Sequence, residues 1–133
     1  MKTLVLANHQ SAVGKSTVAT LLVHHLARRG HRVLAIDLSH PGSMGASLRR
    51  SDKTVVVLLA DDALTGDVLP RFPDAPGQPI VLIDGARRWL DLERQARRAH
   101  HFIENLQDLM GMARNHFDAC VIDTSARDRK SVV

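Results

Sequence analysis

The sequence of 133 residues holds a single cysteine, Cys120, and no tyrosine. One thiol excludes an internal disulfide, and its place in an apolar run makes it a small buried hydrophobe in a chain expected to live in a reducing compartment. No apolar run approaches the roughly 20 residues that a spanning helix needs. Met1-Lys2-Thr3 leads straight into the first such run without a signal-peptide pattern, so a soluble cytoplasmic protein is expected. Aromatic residues are 3% of the chain, and Trp89 and Phe102 read as core rather than as stacking platforms. Eight histidines include the pairs His24-His25 and His100-His101, but none recurs at the spacing of a zinc ligand set. No internal repeat or domain linker interrupts the chain, whose 44% hydrophobic content fits one globular domain with a real core. The net charge of +4 permits attraction to nucleic acid or anionic phosphates, yet a charge this modest reports mainly on solubility.

What is present begins at residues 8–17, Asn8-His9-Gln10-Ser11-Ala12-Val13-Gly14-Lys15-Ser16-Thr17, between an apolar run and an amphipathic stretch. Gly14-Lys15-Ser16 is the core of a phosphate-binding loop of Walker A type. In such a loop backbone N–H groups cradle phosphate oxygens, the lysine neutralises their charge and the hydroxyl can ligate Mg²⁺. Nucleotide binding by Ser11, Ala12, Val13, Gly14, Lys15, Ser16 and Thr17 is therefore expected. His9 stands where the general pattern has its first glycine.

Residues 3–7 and 32–38 are short, continuous apolar runs of the kind buried on both faces of a parallel sheet. Between them, residues 16–29 place Val18, Leu21, Leu22 and Leu26 on one helical stripe, with Arg28 and Arg29 suiting the C-terminal dipole and Gly30 as the stop. Pro41, Gly42, Ser43 and Gly45 mark a loop. Residues 54–59 have the β-branched content of a strand, while Val55, Leu58, Leu59, Leu64, Val68 and Leu69 also fit two short helices broken near Asp61. After a proline-rich connector over 70–79, Ile80-Val81-Leu82-Ile83 predicts another strand. Residues 87–115 predict a long helix, with Phe102, Leu106, Leu109, Met110 and Ala113 on one face, and residues 117–124 a last strand. Alternating strands and helices predict a doubly wound, mainly parallel α/β sheet with ligand at the carboxyl ends of the strands.

Asp37 ends the second apolar run and Asp123 the last, so both are expected at the edge that carries the phosphate loop. An acid at that place can hold Mg²⁺ through its water shell, the Walker B role, which suits Asp123; Asp37 could assist the metal or position water. The alternative for each is a cap on the following turn. Arg87, Arg88, Arg94, Arg97 and Arg98 form a basic run that is either a solvated helix face, with Asp91 and Glu93 interspersed, or a set of phosphate contacts to DNA.

In their order, Asn8 to Ser16, Ile36 to Ser39 with Gly42, and Phe117 to Asp123 resemble the ParA/MinD family of deviant Walker A P-loop ATPases, within it the plasmid and chromosome partition proteins. The likeness covers residues 2–126. It implies a P-loop NTPase fold, ATP and Mg²⁺ as ligands, Ser16, Asp37 and Asp123 at the metal, and Lys15 and Asp37 in the chemistry. By the same resemblance, residues 54–69 would be short helices. It further implies a nucleotide-dependent homodimer, a ParB-like partner, non-specific DNA and hence nucleoid association.

The chain departs from the family pattern at decisive places. The signature lysine is Gln10, which can donate hydrogen bonds but cannot offset charge at a transferred phosphate. The second acid of the Asp-x-Asp pair is Ser39, Ser11 and Ala12 replace two loop glycines, and Pro41 and Ser43 replace usual switch-loop residues. A ParA-like ATP-binding protein with impaired hydrolysis is the expectation. The alternatives are a non-hydrolysing interaction module or a gene fragment without independent function. Residues 128–133, Asp-Arg-Lys-Ser-Val-Val, match one reading frame of a common sequencing adapter. They are set apart as a non-native tail, and residues 1–127 are expected to be one domain, incomplete on its C-terminal side.

Overall fold

The computed structural model describes residues 1–6, 15–38, 42–57, 77–84, 104 and 107–124. Strands β1 (Lys2–Leu6), β2 (Val33–Leu38), β3 (Thr54–Val57), β4 (Ile80–Asp84) and β5 (Ala119–Thr124) alternate with helices α1 (Lys15–Arg28) and α2 (Ser43–Leu48) and a helical stretch over 107–113. The strands form one sheet in the order β1-β5-β2-β4-β3, and every pairing is parallel. β5, last in sequence, thus inserts between β1 and β2.

Period-two alternation sorts the side chains onto two cores. On one face Val33, Ala35, Ile80, Leu82 and Val121 pack with Ala19 and Val23 of α1 and Met44 and Leu48 of α2. On the other, Leu34, Ile36, Val81, Ile83, Cys120 and Ile122 pack with Leu109, Ala113 and Phe117. Helices on both faces explain why β2 and β4 read as unbroken apolar runs, each side chain removed from water being worth about 1.5–3 kcal/mol.

Four expectations are corrected. β1 is not buried on both faces: among the described strands it lies at the edge of the sheet, and Leu4 and Val5 keep 45% and 54% of their surface exposed. The buried stripe of α1 is Ala19 and Val23, with Leu22 and Leu26 partly buried, whereas Val18 and Leu21 face out at 56% and 63%. The apolar arc of α1 is wider than the sheet beneath it, and an open hollow of about 720 Å³ lies between, lined in part by Leu4, Leu22 and Leu26. Residues 54–57 are strand, not helix. The parallel ladder of Thr54, Val55, Val56 and Val57 to β4 gives β-branched residues the pleated surface they fit best. The Gly-rich segment predicted as loop turns into α2 at Ser43, after Gly42 takes a left-handed φ of 86° as its N-cap. The rest of the ambiguous segment, 58–69, and the basic run 87–98 lie outside the described residues.

Cys120 is buried, as its sequence context predicts, and burial pushes its thiol up to about 12. At the N-terminal edge of the sheet, Asp118 ties β5 to β2: its Oδ2 accepts the Arg32 backbone N–H at 2.8 Å, and the Arg32 guanidinium lies 5.0 Å from the centroid of the Phe117 ring. Among the described residues no helix is long and apolar enough to cross a membrane.

Candidate functional site

Register builds the site. Asp37 pairs with Asp123 on one side and with Asp84 on the other, while Leu6 at the tip of β1 pairs with Asp123. Four strand ends therefore stand on one line, spaced about 4.8 Å from strand to strand. Asp37 and Asp123 are wholly buried; Asp84 is half-buried. Three of the four strands carry the same dipeptide at or one residue before their last position, Ile36-Asp37, Ile83-Asp84 and Ile122-Asp123, with the isoleucines in register beneath the acids. The isoleucines face the core beneath the helical stretch 107–113. One residue further along, the acids turn to the face that carries α1 and α2.

The acids are not equivalent. The Gly45 backbone N–H donates to Asp37 Oδ2 at 2.7 Å, a short charge-assisted bond that fastens α2 to β2. Asp84 Oδ2 accepts from Arg49 Nε and Nη2, both at 3.2 Å. Gly45 sits in a tight space: a Cβ there would stand 3.0 Å from Asp37 Oδ2 and 3.2 Å from Asp84 Oδ2. Asp123, on the strand next to β1, is the acid closest in the sheet to the phosphate-loop strand.

The predicted loop residues Ser11, Ala12, Val13 and Gly14, together with Gln10 and Ser39, lie outside the described residues, as do the side chains of Lys15 and Ser16. The backbone at Lys15 and Ser16 forms the first turn of α1, and β1 reaches the acid row at Leu6, in register with Asp123. Thr17, the last predicted phosphate-site residue, is exposed and lines a hollow of about 240 Å³ between α1 and α2 with Thr20, Leu21, Ser43 and Ser47.

Oxygen donors at the carboxyl edge fit a hard divalent cation such as Mg²⁺, which keeps much of its water and takes one or two protein oxygens alongside phosphate. Among the described residues no cluster of three His, Cys, Asp or Glu side chains is placed to hold an ion. Sequence reasoning brought Asp37 and Asp123 together correctly and overlooked Asp84, Arg49 and Gly45. The thrice-repeated Ile-Asp at the end of an apolar run was the available signal for Asp84.

An all-parallel sheet whose first strand precedes a Gly-Lys-Ser sequence in the chain, and whose neighbouring strand carries a buried acid one residue from its end, fits an α/β P-loop NTPase fold. The model of the CobQ/CobB/MinD/ParA nucleotide-binding domain matches residues 4–127, and the chain belongs to that family. It is 36% identical over 91 residues to the chromosome-partitioning ATPase Soj of Thermus thermophilus, covering 62% of this chain and 36% of Soj. It is 33% identical over 105 residues to the Soj of Treponema pallidum, covering 70% and 42%. The protein IncC of Escherichia coli is 29% identical over 138 residues, covering 94% and 35%. The chain thus spans less than half the length of each of these relatives. Among solved structures, the Corynebacterium diphtheriae protein DIP2308 superposes with a TM-score of 0.57 at 19% identity, over 96% of this chain and 54% of that one, a likeness of fold.

Proposed function

We propose that this chain is the nucleotide-binding part of a ParA-like partition protein that binds ATP with Mg²⁺ and hydrolyses it slowly or not at all. The observation that supports this most is the in-register line from Leu6 through Asp123 to Asp37, which sets a buried acid one strand away from the strand that feeds the Gly14-Lys15-Ser16 loop. In this reading the backbone from Ser11 to Thr17 cradles the phosphates, and Lys15 neutralises them. Ser16 and Asp123 hold the cation, and Asp37 assists the metal or positions water. Held by Ser16 and Asp123, Mg²⁺ would supply positive charge to offset that of the phosphates.

Slow turnover follows from two substitutions that act separately. Gln10 brings no charge to the transferred phosphate, and Ser39 cannot act as the second switch acid. By the family resemblance, the partners are a second copy, a ParB-like protein and non-specific DNA, the last contacted in part by Arg87, Arg88, Arg94, Arg97 and Arg98. The Gln10 and Ser39 pair also favours a second reading, a module that binds nucleotide to present a surface and never turns it over. A third, a segment that functions only when joined to further polypeptide, is favoured by the uncovered Leu4, Val5, Val18 and Leu21.

Isothermal titration with ATP, in Mg²⁺ and in EDTA, tests the binding; heat that is identical in both, or absent, refutes the metal-assisted site. Phosphate release then separates the readings. Turnover at the rate of an ordinary partition ATPase would overturn the impairment, and a Mg²⁺-dependent complex without turnover supports it.

A further inference from the structure

Helix α2 is six residues long, with no side-chain N-cap and no acid in its first turn, so its own hydrogen bonds hold it weakly. Tertiary contacts set its position instead. Met44, Gly45 and Leu48 are buried against the sheet, and two polar contacts four residues apart reach the acid row, Gly45 N–H to Asp37 and Arg49 to Asp84. The four-residue spacing puts both on one helix face. Asp37 and Asp84, in register on neighbouring strands, converge on the same glycine, and like charges so placed repel. Arg49 offsets the Asp84 charge at the very oxygen, Oδ2, that converges with Asp37 on Gly45.

We propose that Arg49 and Asp84 are positioning residues that latch α2 over the nucleotide edge. While the pair is closed, the Oδ2 of Asp37 is committed to the Gly45 amide. When α2 lifts, both contacts open together and that oxygen becomes available to the site. The proposal rests on the reading of Asp37 as a residue of the nucleotide site for its second half only. A partly exposed ion pair biases such an equilibrium by about two- to fivefold, and a ligand that binds the open form gains affinity by the same factor when the pair is removed.

The test uses the full chain. Hydrogen exchange and the ¹⁵N–¹H signal of the Gly45 amide are measured without nucleotide in Asp84→Asn, Arg49→Met, Arg49→Lys and the charge-swapped Arg49→Asp/Asp84→Arg. Exchange at Gly45 is expected to rise about two- to fivefold in the first two and to stay near the parent value in the other two. Mg-ATP affinity, measured next, is expected to rise by the same factor in Asp84→Asn and Arg49→Met alone. Unchanged Gly45 exchange in both single variants, with the melting temperature retained, overturns the latch. A responsive Gly45 amide with unaltered ATP affinity overturns the coupling and places the failure in the role given to Asp37.

Discussion

Asp37 stands beside Asp123 in parallel register, both wholly buried, at the edge where Leu6 of β1 pairs with Asp123. Asp37 Oδ2 accepts the Gly45 amide of α2.

Asp123→Asn keeps the shape of the side chain and removes its charge. ATP binding in EDTA should remain within about twofold of the parent, while the Mg²⁺-dependent gain in affinity should disappear, as titration in the two buffers will show. An undiminished Mg²⁺ effect would assign the metal elsewhere.

Restoring the two departures from the family pattern is expected to restore chemistry. Gln10→Lys with Ser39→Asp should raise phosphate release at least tenfold over the parent, and each single change should fall well short because charge and water positioning are separate contributions. A parent that already turns over like the double variant would contradict the assignment.

Glycines divide by their surroundings. Gly45→Ala drives a methyl to 3.0 Å from a buried carboxylate oxygen and should cost about 1–3 kcal/mol in urea unfolding. Gly111→Ala, in the helical stretch 107–113 with nothing within 4 Å of the new Cβ, should gain up to about 1 kcal/mol. Equal effects at the two positions would be inconsistent with the packing around α2.

Cys120 gives a pH signature. Its thiol, raised from 9.0 to about 12, stays protonated in the folded chain where the unfolded chain ionises, so the folded state binds the extra proton between those values. Its contribution is fully present below pH 9 and is lost as pH rises, by about 1.4 kcal/mol per unit until about 12. Comparing stability against pH in the parent and in Cys120→Val isolates this slope; no difference in slope would show that the thiol is not sheltered. Reaction with a thiol reagent at pH 8 should be slow until the protein is unfolded.

Much of the fold was written in local patterns, and the misses share a cause. β2, β4 and β5 read correctly because their apolar runs are packed on both faces, and Asp37 and Asp123 were placed together because each terminates such a run. β1 carries the same kind of run, yet composition reports what a strand could bury, not which neighbour covers it. In α1, Val18 and Leu21 were assigned inward because the helix is apolar over more than one stripe, and only the sheet selects Ala19 and Val23. The short α2 has almost no intrinsic signal, and Thr54–Val57 became strand through its ladder to β4. At the site, Arg49 and Gly45 were invisible because their partners lie 35 and 8 residues away and are met only after folding.

The alignment of the three Ile-Asp ends implies a rule about length. Spacing among the acids is set by counting residues along β2, β4 and β5, whereas the connections between those strands only need to reach. Insertions in the connectors should therefore leave the row intact, while one extra residue inside β2 would slide Asp37 by about 3.3 Å and exchange its face with that of Ile36, turning a carboxylate into the core. The sheet works as a ruler for the acid row, and its marks are counted along β2, β4 and β5.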